Sequence, residues 1–541
     1  MKKVCDPANH TSGLGGAGRR AAEIICSLFL IAVLFVFPLY YRDFYFDILP
    51  AKYQFYYISV LAMAGGLLAL GLVLLAVDRV RFGGAYSRTW FREFRLSRLA
   101  GSLNATDVAL AIFLLVAVIS TIQSDYIYES FWGNEGRYTG LFLLLLYGLS
   151  FWMVTRTSRG SGRILEVFLM ASLMAGLFGI TDFFDLNLLH FKDRIAREQY
   201  SIFTSTFGNI NTYTAFLSLA LGMASVLFAL EKNLKRSVWY YICMAVTMAA
   251  IITGQSDNAY LALLALFGFL PLFLFKDWQG VKRYFIIAAS FFSVIQGIDT
   301  VSQVMSGQVM ELDGLFRVIV RLPGLEFIVI ALWALVAVLY WSEKRIGDRL
   351  TKKGRLQIAW GGLLAVAALG IILILIDANL LGHEERYGAL RNYVIFDDEW
   401  GTHRGYIWRI GIENYMDFPL LHKLFGYGPD TYGIITTNNN YAEMVSRYEE
   451  IFDSAHNEYL QYFVTIGPIG LGAYLAFLGT AFWKMLRIGR ENIYLAGAAF
   501  AVLCYGAQAF VNINLPIATP VMWTILMVGM AGCRKRKTDG K

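Results

Sequence analysis

The fold class this sequence predicts is an all-helical protein threaded many times through a membrane, and three observations predict it. Of 541 residues, 57% are hydrophobic and only 16% charged, with a mean hydropathy of +0.52, a balance outside that of soluble domains. Fourteen apolar stretches approach the ~20 residues that cross a bilayer core: 21–41, 54–77, 106–122, 138–155, 164–181, 211–230, 237–254, 258–275, 284–300, 324–341, 357–376, 457–483, 492–511 and 515–532. With a cytoplasmic amino terminus, 33 of the 47 basic residues fall on one side, and that bias predicts both termini inside.

The first stretch, Ala21 to Tyr41, is long enough to span and is not closed by a small-residue cleavage site, so it reads as a first transmembrane helix. The inside segments carry Lys2, Lys3, Arg19 and Arg20, six arginines from Arg79 to Arg98, and basic clusters at 156–163, 232–236, 276–283, 344–355, 484–490 and 534–541. The net charge of +7 thus follows membrane topology, and a nucleic-acid partner is excluded. The five cysteines form no CxxC pair and have no histidine at metal-ligand spacing, so neither a disulfide framework nor a zinc site is implied.

Three outer segments exceed connector length: 123–137, 182–210 and 378–455. The chain therefore divides into membrane helices 1–11 (1–376), a partly helical extracytoplasmic loop (377–455), and helices 12–14 with a basic tail (456–541). From Asp377 to Glu458 there are fourteen acidic residues against six basic ones. Most of those cations read as solvated or paired. Arg404 is the exception: Thr402 is suited to cap a helix running to about Met416, before Pro419, and on it Arg404, Trp408, Gly411 and Tyr415 share one face. A turn-rich return, Pro419 to Gly433, then leads toward His456.

His456 stands at the outer mouth of a hydrophobic helix, where an ionisable group is a functional candidate; the plainer reading is an interfacial ring. With Ser454 or Asp453 as cap, the helix dipole would keep the imidazole neutral, able to accept a proton, and the same helix end suits a phosphate. Other polar residues have plainer readings too. Asn209 and Asn211 cap the helix at 211–230, or touch a lipid phosphate or sugar. Asp257 reads as an N-cap. Arg137 pairs with Glu135, lies at the interface, or contacts substrate. Asp397, Asp398 and Glu399 form a solvated loop face, with metal binding as the counter-candidate. His190, His383, His403 and His422 read as surface residues, His403 adjoining Arg404. Tyr406, Trp408 and Tyr432 are candidates to stack on sugars.

Four motifs in order, FWGNEGRYTGLFLLLLYG (131–148), TFGNINTYTAFLSLALG (206–222), ITGQSDNAYLALLALFG (252–268) and the R…W…P…G.G…HN.YLQ…G.IGL block (404–471), resemble those of the O-antigen ligase and O-antigen polymerase family of bacterial membrane glycosyltransferases. The resemblance implies a GT-C-like fold with about fourteen helices in the bacterial plasma membrane. It further implies metal-independent glycan transfer from an undecaprenyl-diphosphate carrier to a glycan, lipid or wall-polymer acceptor, at an outward-facing site without a cofactor. His456 corresponds to the motif histidine, the general base, with Asn457 beside it, and Arg404 to the arginine ahead of Trp408. Where many members carry a serine-arginine pair, this chain has Ser256-Asp257-Asn258; Arg409, Arg137 or an arginine from 194–197 is left to supply the missing charge. Arginine suits that task, since its planar fork binds phosphate oxygens bidentately and stays charged. The rival class is a transporter or flippase of lipid-linked sugars without bond chemistry. It predicts internal repetition of helical units, and no clear repeat is visible.

Overall fold

A computed structural model describes residues 7–85, 87–88, 103–158, 162–343 and 348–539; Cys5, the arginines from Arg92 to Arg98, Arg159 and Lys344 lie outside them. The described residues are helical and contain no strand. Among the described residues, eleven helices are long and apolar enough to cross a membrane: α1 (Gly15–Leu39), α2 (Ile48–Phe82), α3 (Ala105–Ile122), α5 (Ile164–Phe183), α6 (Ile210–Leu230), α7 (Leu234–Gly254), α9 (Trp278–Val304), α10 (Leu325–Ser342), α11 (Lys352–Asn379), α16 (Gly467–Ile488) and α17 (Ile493–Val511). Two shorter apolar helices, α4 (Leu141–Thr157) and α8 (Asn258–Leu274), lie among them, and the chain ends in α18 (Thr519–Asp539). Each predicted apolar stretch is thus helical over most of its length, and eleven of the helices among the described residues combine the length and the apolarity of a membrane span.

The centre of the bundle is α6, every residue of which from Thr212 to Ala229 is buried. It can be central because small residues let its neighbours approach: a Cβ on Gly222 would lie 2.3 Å from the Phe500 carbonyl oxygen of α17. Without a hydrophobic driving force between helices in lipid, such close backbone contact is what holds helices together. At the periphery, α11 turns Leu363, Val366, Ile371 and Ile372 outward, the inverse of a soluble helix and the pattern expected where lipid is the solvent.

The predicted stretch 457–483 is two helices, α15 (Glu458–Thr465) and α16. Gly467 breaks it with φ +76, and a Cβ there would lie 2.3 Å from the Leu424 carbonyl oxygen. The chain crossing this break is the turn at 426–428, whose Tyr427 and Gly428 amides donate to the Val464 and Thr465 carbonyls (3.3 and 2.9 Å). Those are carbonyls a helix end leaves free. Pro468 then suits the first turn of α16.

The segment between α11 and α15 contains α12 (Trp400–Met416), α13 (Leu420–Phe425) and α14 (Tyr432–Tyr448). Its own apolar core joins Tyr406, Ile407, Ile410, Tyr432, Ile435, Met444 and Phe452. Thr402 does not cap α12 as predicted. Gly401, Thr402 and His403 are left-handed (φ 62, 59 and 66), so the regular turns start at Arg404. The helix does run to Met416.

Candidate active site

His456 is held by its neighbours on both sides. Asn457, not Ser454 or Asp453, caps α15, its side-chain oxygen accepting from the Tyr459 and Leu460 amides at 3.0 Å each. His456 therefore precedes the helix rather than beginning it, in a left-handed conformation (φ 46). One residue earlier, the Ala455 carbonyl accepts from Trp408 Nε1 (2.9 Å) and the Ala455 amide donates to Gln461 Oε1 (2.9 Å). Trp408 thus clamps the strap that presents the imidazole, which is a different task from stacking on a sugar. The ring, partly exposed, has no hydrogen-bond partner among the described residues. Burial, reinforced by the positive charges of Arg404 and Arg137 and opposed by Asp453, pushes its pKa down to about 3. The ring is neutral, as the sequence predicts, but the cause is burial and arginine rather than a helix dipole.

Arg404 is an unusual cation. Its Nη1 donates to the Gly401 carbonyl (2.6 Å), while Nε is buried without a partner. No carboxylate lies within ion-pairing distance among the described residues; Asp257 acts on it only through its field, and burial lowers the guanidinium pKa. An uncompensated buried charge is costly, and a bound anion would relieve that cost. Arg137 lies in the same region, its Nε donating to Asp453 Oδ2 (2.9 Å) and its Nη2 pairing with the other oxygen of that carboxylate. Asp453, not Glu135, is its partner, and its side chain lines one crevice with His456 and Asn457.

The remaining arginines named as substitutes are engaged elsewhere. Arg409 binds Asp398 (3.0 Å), Glu413 (3.1 Å) and Glu443 (3.2 Å), so its fork does not join the site. Arg194 pairs with Asp43 at 3.0 Å and Arg197 with Asp185 at 3.6 Å. The acidic triple is likewise occupied: Asp398 holds Arg409 and Arg447, Asp397 accepts from the Glu399 amide, and Glu399 lies 2.9 Å from His403 Nδ1. Among the described residues no group of three His, Cys, Asp or Glu side chains is arranged to hold a metal. His403 is half-buried at the surface, its ring packed on Tyr448 at 4.5 Å.

Asn209 caps α6 as predicted, accepting from the Asn211 amide at 2.7 Å. Asn211 is not a second cap. Its side-chain oxygen accepts from Ser256 Oγ (2.6 Å), and its carbonyl accepts from Asn258 Nδ2 (3.1 Å) and Asn512 Nδ2 (3.0 Å). Asp257 occupies the N-cap position of α8 without making a side-chain cap bond. Its exposed side chain faces the polar pocket it shares with Thr402, beside Arg404.

Sequence reasoning missed Asp430 and Glu458, both buried beside His456 in the crevice. Asp430 Oδ2 accepts from the Asn134 and Thr139 amides (2.7 and 3.1 Å), fastening the segment that carries Arg137 to the Gly426–Asp430 turn. Glu458 Oε1 accepts from Tyr474 (2.5 Å), while its Oε2, Ser454 Oγ and Asn514 Oδ1 are buried without hydrogen-bond partners among the described residues. In the sequence Glu458 looks like an ordinary acidic first-turn residue, and Asp430 like a turn aspartate after Pro429; neither carries a signal of burial.

Residues 321–475 match the family model described as O-Antigen ligase. The match spans α10 to the start of α16 and so includes Arg404 and His456, while Arg137, Asn209 and Asn211 lie before it. No curated protein matches the chain.

Proposed function

We propose that this multi-pass membrane protein, whose residues 321–475 match the O-Antigen ligase family model, moves a glycan from an undecaprenyl-diphosphate carrier to an acceptor hydroxyl. At the coarser level the family match supports a glycosyltransferase-type enzyme of polysaccharide biosynthesis, using a lipid-linked glycan donor and a glycan acceptor. The positive-inside bias supports cytoplasmic termini and an active site on the outer face of a bacterial plasma membrane.

The observation that carries the finer reading is a half-buried Arg404, its Nε fully buried and no carboxylate paired with it among the described residues, whose charge acts on an imidazole with no hydrogen-bond partner among them. In the reaction, neutral His456 takes the proton of the acceptor hydroxyl as the oxygen attacks the anomeric carbon. The bond from that carbon to the diphosphate oxygen breaks, the electron pair leaves with the diphosphate, and the anomeric centre inverts. Arg404 binds the departing phosphate oxygens, and Arg137, fixed by Asp453, adds positive potential. Such preorganised charge is strongest where water is excluded, and a positioned base typically contributes about 100- to 10,000-fold. Donor binding also tunes the base. Diphosphate charge offsets the field of both arginines, so the ring's proton affinity rises from its depressed value when substrate is present.

The test is full-length protein in proteoliposomes supplied with polyprenyl-diphosphate oligosaccharide and a glycan acceptor. Release of polyprenyl diphosphate with a longer or newly linked glycan supports the reading, and product size separates polymerase from ligase. Movement of intact donor between leaflets without release would replace transfer by transport.

A further inference from the structure

At the end of the bundle remote from His456 lies a second cavity, about 1120 Å³ of open space between α8, α11, α16 and α17. Its place follows from the helices that form it. α8 starts at Asn258, hydrogen-bonded to Asn211, and its lining residue Phe273 is fifteen positions on, about 22 Å at 1.5 Å per residue. α16 starts at Gly467 against the loop and contributes Phe482, Trp483 and Arg487 near its far end.

The walls are apolar, with Trp483 67% exposed, and the rim carries three cations, Lys276, Arg487 and Arg490. Lys276 and Arg487 have no carboxylate within ion-pairing distance among the described residues. Arg490 donates to the Phe273 carbonyl (3.2 Å) with its guanidinium 5.4 Å from that ring's centroid, and feels the charge of Asp277 without pairing to it. Asp277 is itself engaged in capping α9 through the Gly280 amide at 2.7 Å. Burial and the nearby charge of Arg490 hold the Lys276 ammonium below its ordinary pKa. Unneutralised like charges around a greasy groove complement a molecule with an anionic head and an apolar tail.

We propose that this cavity binds an anionic phospholipid of the leaflet opposite the His456 site, its phosphate headgroup between Lys276, Arg487 and Arg490 and its acyl chain along Trp483 and Phe482. A lone cation at a helix end needs no such ligand; three around one apolar cavity set this place apart from the other basic loops.

The experiment is lipid titration of the full-length protein by native mass spectrometry, with phosphatidylglycerol and phosphatidylcholine as probes. Wild type should retain phosphatidylglycerol in preference to phosphatidylcholine. Affinity should fall about fivefold for each cation removed in Arg487→Gln and then Lys276→Gln/Arg487→Gln/Arg490→Gln, while Arg236→Gln, in another basic loop, binds as wild type. Arg487 is exposed and unpaired, so its single variant reports on binding even if the triple variant is unstable. Equal affinity for the two lipids, or unchanged binding by Arg487→Gln, would overturn the proposal, as would displacement of the lipid by millimolar inorganic phosphate.

Discussion

Asp430→Ala tests whether the site is assembled as described, because Asp430 ties two distant parts of the chain together. Its Oδ2 is the acceptor for the Asn134 and Thr139 amides, and three residues beyond Asn134 stands Arg137. Alanine leaves both part-buried donors unmatched, at about 1 kcal/mol each, the low end of the range for an unsatisfied buried group, or about 2 kcal/mol together. Asp430→Asn keeps an acceptor oxygen and should cost less. The two variants also separate in pH. Burial raises the Asp430 pKa to about 6, against hydrogen bonds from Thr139 and Asn134 and the charge of Arg137 that lower it. Since the folded value lies above the ordinary 3.8, this group's contribution is full below pH 3.8 and lost as pH rises through about 6, a change of about 3 kcal/mol. Asp430→Asn cannot titrate, so it should gain on wild type over that window. Unfolding followed by tryptophan fluorescence in lipid nanodiscs at pH 4.5 and pH 8 measures both effects. Unfolding of Asp430→Ala together with wild type, or a pH-independent gap between wild type and Asp430→Asn, would refute the reasoning.

Other consequences can be checked in the same preparations. Arg404→Gln should raise the His456 pKa from about 3 toward the ordinary 6.5, as should pyrophosphate added to wild type, read by NMR of labelled histidine. Because the folded ring lies below its unfolded value, its contribution to stability is full above pH 6.5 and is lost as pH falls toward 3. Trp408→Phe removes the indole donor to the Ala455 carbonyl; kcat should fall while the KM for donor holds, as expected of a positioning residue. Gly411→Ala brings a Cβ to 2.4 Å from Tyr432 Oη and should destabilise the loop core by about 1–3 kcal/mol, a loss partly relieved by Tyr432→Phe and visible in the melting temperature of the double variant.

Much of this protein was legible in its sequence because a membrane asks little of a helix beyond length and apolarity. The stretches 211–230 and 357–376 illustrate this, although one is the buried centre and the other faces lipid. What run length does not encode is a break whose cause lies elsewhere in the chain. Gly467-Pro468 is compatible with helix initiation inside one long span, and only docking of the 426–428 turn fixes the interruption. Arg404 and His456 stood out because each is an ionisable group where its neighbours predict none. Asp430 and Glu458 did not, since their burial depends on partners far along the chain, Asn134 and Thr139 for one and Tyr474 and Asn514 for the other. The surroundings of Arg409 were hidden for the same reason: sequence spacing places it near Arg404, while the three-dimensional fold surrounds it with carboxylates.

The most direct test of the central claim is single-turnover release of polyprenyl diphosphate by wild type, His456→Ala and Arg404→Ala in proteoliposomes, with folding of each variant verified by its unfolding transition. The proposed chemistry predicts that both variants stay folded and lose about 100-fold or more of the transfer rate, and that Arg404→Ala also weakens donor binding. Full transfer by folded His456→Ala would contradict it.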